Sequence, residues 1–247
     1  MTAPPQKKRQ ASTGIQNNIM MGKAMVTVVM AAIFATTANA EEREVRQPDG
    51  KFSAIEVTKG ANLTIEQVKD KTGIEVATDG CPTTDVETYV KDGVLTVRMK
   101  KRTPGSAVQV TVFIDDLEKV VVRRGASVET DGTFTRKGKF QLDVGAKCDA
   151  KMGIDVEELH VDASTCRIEL EGKATRQQVF VAGTLGGATY DAKELESEDV
   201  DIKAVNALAI VNFSGSLKAE AVSGTIKYIG EDAHVTKSGN GLVEREL

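Results

Sequence analysis

The feature that most constrains the fold of this chain is a short, mostly alternating phrase that recurs four times between Val156 and Gly230. The copies are Leu159–Ala163, Val179–Val181, Val200–Ala204 and Leu217–Ala221. Successive copies start 20, 21 and 17 residues apart. A unit of about 20 residues is too short to bury an apolar face alone, so neighbouring units must cover each other. The spacing therefore predicts stacked coils.

Each repeat carries a second strand-like segment, and glycines separate the segments. Cys166–Leu170 ends near Gly172, and Ile226–Tyr228 is followed by Gly230. Glycine adopts positive φ at little cost, so we expect it where a coil turns a corner. Upstream, Val108–Ile114 alternates as cleanly as any strand in the chain. We predict an all-β fold, a single-chain β-solenoid resembling a right-handed parallel β-helix.

Composition limits both the core and the partners. Aromatic residues make up only 4% of the 247 residues, and there is no Trp, which predicts a core of Val, Ile, Leu and Ala. Without residues 1–40, the chain has 28 basic and 36 acidic residues. A phosphate backbone requires a basic surface, so this acidic balance argues against a nucleic-acid partner.

The N-terminus has the pattern of an export signal. Lys23 precedes an apolar run from Met25 to Phe34, and Ala38-Asn39-Ala40 matches a cleavage site. We predict cleavage after Ala40. The run is far shorter than the roughly 20 residues of a membrane span, so we expect no stable membrane insertion.

The domain boundaries follow from this signal. Residues 1–40 are predicted to be a signal peptide with a dispensable extension, because a start at Met21 would give a compact signal. Residues 41–51 are expected to be a polar, solvated leader, and residues 52–247 a single β-solenoid domain. The mature protein is then exported to the periplasm, the cell surface or the medium.

Three cysteines leave at least one thiol unpaired. Cys148 and Cys166 are 18 residues apart, which is close to one repeat, so stacked coils would bring them together. They form either a disulfide or two small buried core residues. The third is Cys81. The absence of a C-x-x-C motif and the presence of only two histidines argue against a metal site.

Carboxylates on outward strand positions are the candidates for catalysis. Asp162, Asp199 and Asp201 fall at outward positions of neighbouring repeats, with Arg167 and Lys203 nearby. Such a group could act as acid and base in a polysaccharide-cleaving solenoid. Polar residues are expected on any half-exposed strand, however, and aspartate also discourages edge pairing. We therefore predict no catalytic residue.

The histidines and aromatics are assigned structural roles. No G-x-S-x-G motif accompanies His160 or His234, so we expect an outward strand residue and a loop residue, respectively. Stacked aromatics are typical of sugar sites, but two of the available rings are in phase with inward residues, and we expect the set in the core. These aromatics are Phe180, Tyr190, Phe213 and Tyr228.

Several weak motifs in a fixed order resemble the head GIN domain family of auto-transporter adhesins. They are Phe52–Ile55, the hairpin at Asp92–Val97, Ala221–Gly230, and Ser238–Gly241. The resemblance covers about Val45 to Leu247. The chain departs from the family pattern at Val205–Ala207, where a Ser-Gly corner is expected, and at the longer Val181–Gly187 segment. The resemblance implies a β-strand series and surface attachment, and it provides no catalytic residues.

Together these features predict an exported, non-enzymatic binding or structural protein of the envelope or surface, with an adhesive role. The alternative is a polysaccharide-active β-helix enzyme, a lyase or hydrolase. No cofactor is expected. The partner would be an envelope or surface ligand, either glycan or protein, and the sequence indicates neither its identity nor the oligomeric state.

Overall fold

The computed structural model describes residues 41–101, 103–184 and 187–246 as one sixteen-stranded sheet wound into a stack. The predicted signal peptide and its cleavage site lie outside these residues. The strands are β1 (Glu42–Arg46), β2 (Ala54–Thr58), β3 (Asn62–Gln67), β4 (Gly73–Asp79), β5 (Val86–Lys91), β6 (Val94–Met99), β7 (Ala107–Ile114), β8 (Lys119–Arg123), β9 (Ser127–Val144), β10 (Asp149–Ser164), β11 (Arg167–Ala182), β12 (Thr189–Val205), β13 (Leu208–Val222), β14 (Thr225–Ile229), β15 (Val235–Gly239) and β16 (Leu242–Arg245).

Parallel pairing of strands in successive coils confirms the predicted solenoid. From β9 to β14, every consecutive pair is parallel. The described residues contain only two 3₁₀ turns, Thr83–Asp85 and Asp232–His234, in place of α-helices. Neither turn has the length or apolar character of a membrane-crossing helix.

The long strands bend at points where two successive side chains face outward. In β10, the even-numbered positions from Ala150 to Val156 are buried, Glu157 and Glu158 both face solvent or its margin, and burial resumes at Leu159. A flat strand would alternate strictly, so the change of phase marks a corner. β12 contains two such changes, because Lys193–Glu194 and Glu198–Asp199 are exposed pairs. One strand therefore contributes to more than one side of a coil.

Inward side chains stack in register as ladders through the coils. One ladder contains eight residues, all with exposures of 4% or less. Burial of one such aliphatic side chain contributes about 1.5–3 kcal/mol, so a continuous ladder can hold the fold without helices. Its members, in spatial order, are Leu95, Ile55, Val120, Leu142, Val161, Val179, Ile202 and Ala219.

A corner accounts for the first departure from the family pattern, at Val205–Ala207. Thr165, Asn206 and Ser223 follow β10, β12 and β13, and each adopts a left-handed conformation with φ near 50°. Asn206 thus holds the same corner position in its coil that Ser223 holds in the next coil. Asparagine tolerates this left-handed conformation well. The backbone φ of Gly224 does not require glycine. A Cβ there would lie 2.6 Å from the carbonyl oxygen of Ala207, so close approach of the next coil requires glycine.

The second departure is a loop that leaves the register intact. Gly183, Thr184 and Gly187 lie between β11 and β12, and the N–H of Gly187 donates to the carbonyl oxygen of Thr184 at 2.9 Å. On either side of this loop, β11 and β12 both remain paired with their neighbouring coils. The longer segment therefore leaves the register of the stacked strands unchanged.

The segment predicted to be a polar leader contains a strand. Residues 42–46 form β1, which pairs antiparallel with β4. The same end of the stack contains two further antiparallel pairs, β4 with β7 and β5 with β6. The β5–β6 hairpin turns at Asp92-Gly93, with φ values of 52° and 77°, as the sequence predicted. β3 and β4 follow each other with a short connection between them.

Cationic side chains close both ends of the stack. At the first end, Arg46 lies opposite Ile74 on the core side of β1 and donates to the carbonyl oxygens of Val86 (2.7 Å) and Thr83 (2.9 Å). At the last end, Lys237 pairs with Ala219 and so takes the next position of that ladder, where no further coil of the described residues covers it. These charges oppose the addition of another coil, because a charge facing a neighbouring core is costly to bury.

Lys237 is anchored to the last aromatic layer. Its ammonium donates to the hydroxyl of Tyr228 at 3.0 Å and to the carbonyl oxygen of Val243 at 3.2 Å. It also lies 5.0 Å from the centroid of the Tyr228 ring, within cation–π range. The ladder therefore ends in a polar residue, Lys237.

Cys148 and Cys166 occupy stacked positions of neighbouring coils. The N–H of Arg167 donates to the carbonyl oxygen of Cys148 at 3.1 Å, and both thiols are buried. The structure has them as free thiols, so the stacking is confirmed and the disulfide stays a prediction. Burial raises the pKa of both thiols, that of Cys166 to about 11.

Ile202 tests the ladder directly. Replacement by Asp places a charge without a partner in the middle of the stack, and we expect a loss of roughly 4 kcal/mol or more in the free energy of unfolding. Ile202→Val is the matched control and should cost about 0.5–1.5 kcal/mol. Urea unfolding measures both. Similar losses for the two variants would contradict the ladder.

Lys237 tests the end cap. Lys237→Val makes the last ladder position apolar. We then expect concentration-dependent self-association, because the last coil presents an apolar end and an open strand edge. Sedimentation velocity measures the association. Lys218→Val is the control, since Lys218 faces outward on β13. Equal association of both variants would argue that added surface hydrophobicity, not the cap, is responsible.

Cys166 should make stability depend on alkaline pH. Its folded pKa is raised from 9.0 to about 11, so the folded state retains the proton after the unfolded thiol has ionised. The stabilisation is complete below pH 9 and is lost as the pH rises towards about 11. We expect urea unfolding under reducing conditions to show a smaller decline from about pH 8 to about pH 10.5 for Cys166→Ala than for the wild type. Parallel declines would contradict this assignment.

Candidate binding face

The outward residues at the C-terminal halves of β9 to β13 form two straight rows on one side of the stack, here called the polar face. Each row runs across five parallel strands in register, a length of roughly 19 Å at about 4.8 Å per strand. The first row is Gln141, His160, Gln178, Asp201 and Lys218, and the second is Asp143, Asp162, Phe180, Lys203 and Glu220.

The rows arise from the ladders beneath them. Strand residues alternate between the two sides of a sheet, so burial of Val161, Val179 and Ile202 forces their neighbours outward. Because the strands are parallel and in register, equivalent outward residues lie next to each other. The repeat phrase therefore determines the positions of the polar rows, and the residue types determine their chemistry.

Ion pairs hold most charged side chains of the polar face. Lys203 lies 2.6 Å from Glu220, and Lys218 lies 3.0 Å from Asp201, each a cross-strand neighbour. Asp143 is joined at 2.7 Å to Lys119, which lies on β8. Exposed pairs of this kind contribute only about 0–1 kcal/mol each, so their main effect is to fix side-chain positions.

His160 is also held by a carboxylate. Its Nε2 donates to Oε1 of Glu158 at 2.6 Å, and this hydrogen bond lowers the pKa of Glu158. His234, in a 3₁₀ turn, donates from Nδ1 to the carbonyl oxygen of Gly215 at 2.8 Å. The predicted outward and loop positions of the two histidines are confirmed.

A shallow depression of about 390 Å³ lies on the polar face around Phe180. The ring is 41% exposed, although a core position is what the sequence predicts for it. That prediction was wrong for Phe180, because its strand position is outward. It was right for the other three rings, Tyr190, Phe213 and Tyr228, which are all buried.

The structure separates the acidic residues of the enzymatic alternative. Asp162 and Asp201 both line the depression, but they lie on β10 and β12 with β11 between them. Their strands are roughly 10 Å apart. Asp199 lies at the corner of β12, where it accepts hydrogen bonds from the N–H (3.1 Å) and the hydroxyl (2.6 Å) of Ser216. Asp199 does not line the depression.

The two basic candidates also separate. Lys203 lies on the polar face, whereas Arg167 begins β11 and pairs with Asp149 and Thr189, away from the rows. Within the part of the chain that the structure describes, no cluster of three or more His, Cys, Asp or Glu side chains is arranged to hold a metal ion.

Sequence reasoning missed Gln141, Asp143, Gln178 and Glu220 as members of the polar face. The repeat copies at Val200 and Leu217 contained the signal for Glu220, because the third residue after each start faces outward and places Glu220 beside Lys203. They contained no such signal for Gln178. The second copy starts at Val179 by its apolar pattern, whereas the structure pairs Leu159 with the polar Gln177, two residues earlier.

Solved structures similar to this chain share its fold. A putative adhesin from Bacteroides fragilis matches with a TM-score of 0.72 and 16% identity, covering 85% of this chain and 98% of that one. A putative adhesin from Parabacteroides distasonis matches with a TM-score of 0.61 and 20% identity, covering 84% and 98%. A putative lipid binding protein from the same species has a TM-score of 0.59 and 18% identity, covering 84% and 97%.

Sequence comparison identifies the family. No curated protein matches the chain. The model of the family described as "Putative auto-transporter adhesin, head GIN domain" matches residues 51–231. That match spans the ladders, the corners and the polar face described above. The chain therefore belongs to the head GIN domain family of putative auto-transporter adhesins.

Proposed function

We propose that this protein is an exported, non-enzymatic binding protein of the cell envelope or surface, and that it attaches through the polar face. The observation that carries the proposal is the pair of in-register rows across β9–β13. A stiff surface of this length, with charges fixed by ion pairs, suits repeated contacts with an extended ligand. Family membership and the export pattern at residues 1–40 support the same role.

The closed ends of the solenoid support lateral attachment. Arg46 and Lys237 cover the two ends of the core with charge, so these ends are poorly suited to an apolar contact. The sides of the coils remain available. Among them, the polar face has an exposed aromatic ring in a depression, and aromatic residues are enriched at binding surfaces.

Cell attachment tests the proposal. We expect Asp162→Lys combined with Lys203→Glu to reduce binding of the labelled protein to gene-deleted producing cells, by about 5- to 30-fold if the centre of the contact is disrupted. Lys151→Glu combined with Glu169→Lys is the control, because it makes a matched charge exchange on a different side of the stack. Equal effects of the two double variants would contradict attachment through the polar face.

Export is tested by N-terminal sequencing of the protein recovered outside the cytoplasm. The expected first residue is Glu41, which follows the predicted cleavage after Ala40. Retention of the protein in the cytoplasm with residues 1–40 intact would contradict export.

A glycan-release assay separates this proposal from the enzymatic alternative. We expect the wild type to release no product from acidic or neutral polysaccharides. Release that disappears in Asp162→Asn or Asp201→Asn, with unchanged melting, would instead establish an enzyme.

A further inference from the structure

The Phe180 ring differs from the other buried and exposed aromatics of the chain. It lies at the centre of the second row, with Asp162 as its neighbour on β10 and Lys203 on β12. A single exposed apolar side chain is ordinary on a protein surface. Here the ring also borders the depression of about 390 Å³ and is surrounded by polar side chains, so one wall is apolar and the others can form hydrogen bonds.

Two polar groups beside the ring remain uncommitted. Among the described residues, the carboxylate of Asp162 and the side-chain amide of Gln178 have no hydrogen-bond or ion-pair partner. Both lie next to Phe180, Asp162 across the strand pair and Gln178 two residues earlier on β11. The Gln178 amide can both donate and accept hydrogen bonds, whereas the Asp162 carboxylate only accepts.

The charge of the depression favours a neutral ligand. Four carboxylates line it, those of Asp143, Asp162, Asp201 and Glu220. Lysines neutralise three of them, at 2.7 Å, 3.0 Å and 2.6 Å. The single remaining charge gives little attraction for a polycation and none for a polyanion. The depression thus has an apolar ring face beside carboxylates and amides that can bind hydroxyl groups. This arrangement matches a pyranose, which has one C–H face and a rim of hydroxyls.

We propose that the depression around Phe180 is a saccharide subsite. One face of a sugar ring stacks on the phenyl ring, whose negative face attracts the partly positive C–H groups. Sugar hydroxyls donate to the Asp162 carboxylate and exchange hydrogen bonds with the Gln178 amide. This inference rests on the proposed function and names the ligand class of the same face.

Saturation-transfer-difference NMR with defined sugars tests the subsite. The probes are N,N′-diacetylchitobiose, cellobiose, lactose and maltotriose, each added to the purified protein. We expect at least one to show transfer to its ring protons. Phe180→Ala should weaken its binding by about 5- to 30-fold, and Phe180→Tyr should retain it, because tyrosine preserves the aromatic face.

Tyr89→Ala provides the matched control. Tyr89 is similarly exposed, at 36%, but it lies on β5, outside the polar face. This variant should bind the sugar as the wild type does. All variants should also melt at similar temperatures, because each changed ring is a surface residue. Absence of transfer for all four probes, or equal loss in Tyr89→Ala and Phe180→Ala, would overturn the saccharide subsite.

Comparison with cell attachment separates this inference from the proposed function. If the charge-reversed polar face fails to attach while Phe180→Ala attaches normally and no probe sugar competes, the polar face binds something other than a saccharide. In that case the saccharide subsite is overturned and the proposed function stands. If the charge-reversed variant attaches normally, the proposed function is itself overturned.

Discussion

Parallel, in-register stacking of inward aliphatic side chains is the interaction on which the rest of the structure depends. Each coil is too small to enclose a core, so Val161 is buried only because Leu142 and Val179 cover it on either side. The same register satisfies the backbone donors and acceptors between coils. Position along the ladder is thus coupled to backbone hydrogen bonding, and a shift by one residue would exchange the core with the surface.

One ladder carries small side chains in the last coils. Along it, Val181 is followed by Ala204, Ala221 and Gly239. Aromatic rings occupy the space elsewhere in these coils, and those of Phe213 and Tyr228 pack with centroids 6.0 Å apart. Small side chains in one ladder therefore lie in the same coils as large rings in another, and together they keep the interior close-packed.

One buried polar cluster interrupts this pattern. Gln177 takes the inward position that Leu159 and Val200 hold in adjacent coils. Its amide donates to the hydroxyl of Ser197 at 2.5 Å and accepts from the hydroxyl of Tyr190 at 2.7 Å. Mutual hydrogen bonding offsets the desolvation of the three groups. Burial raises the pKa of Tyr190, so its hydroxyl remains a donor.

The sequence by itself determined the β class, the existence of stacked coils and the hairpin at Asp92-Gly93, because each depends on local spacing or turn chemistry. Only the tertiary structure decided which outward residues became neighbours. Phe180 and Asp162 are 18 residues apart along the chain, yet they lie side by side because coil length and register superimpose them. The end caps could not be predicted from the sequence either. Arg46 and Lys237 lie in polar segments, and only pairing with a distant strand places them at the ends of the core. Local periodicity specifies whether a side chain points towards the core or the solvent, whereas the register between coils specifies which residues become its neighbours.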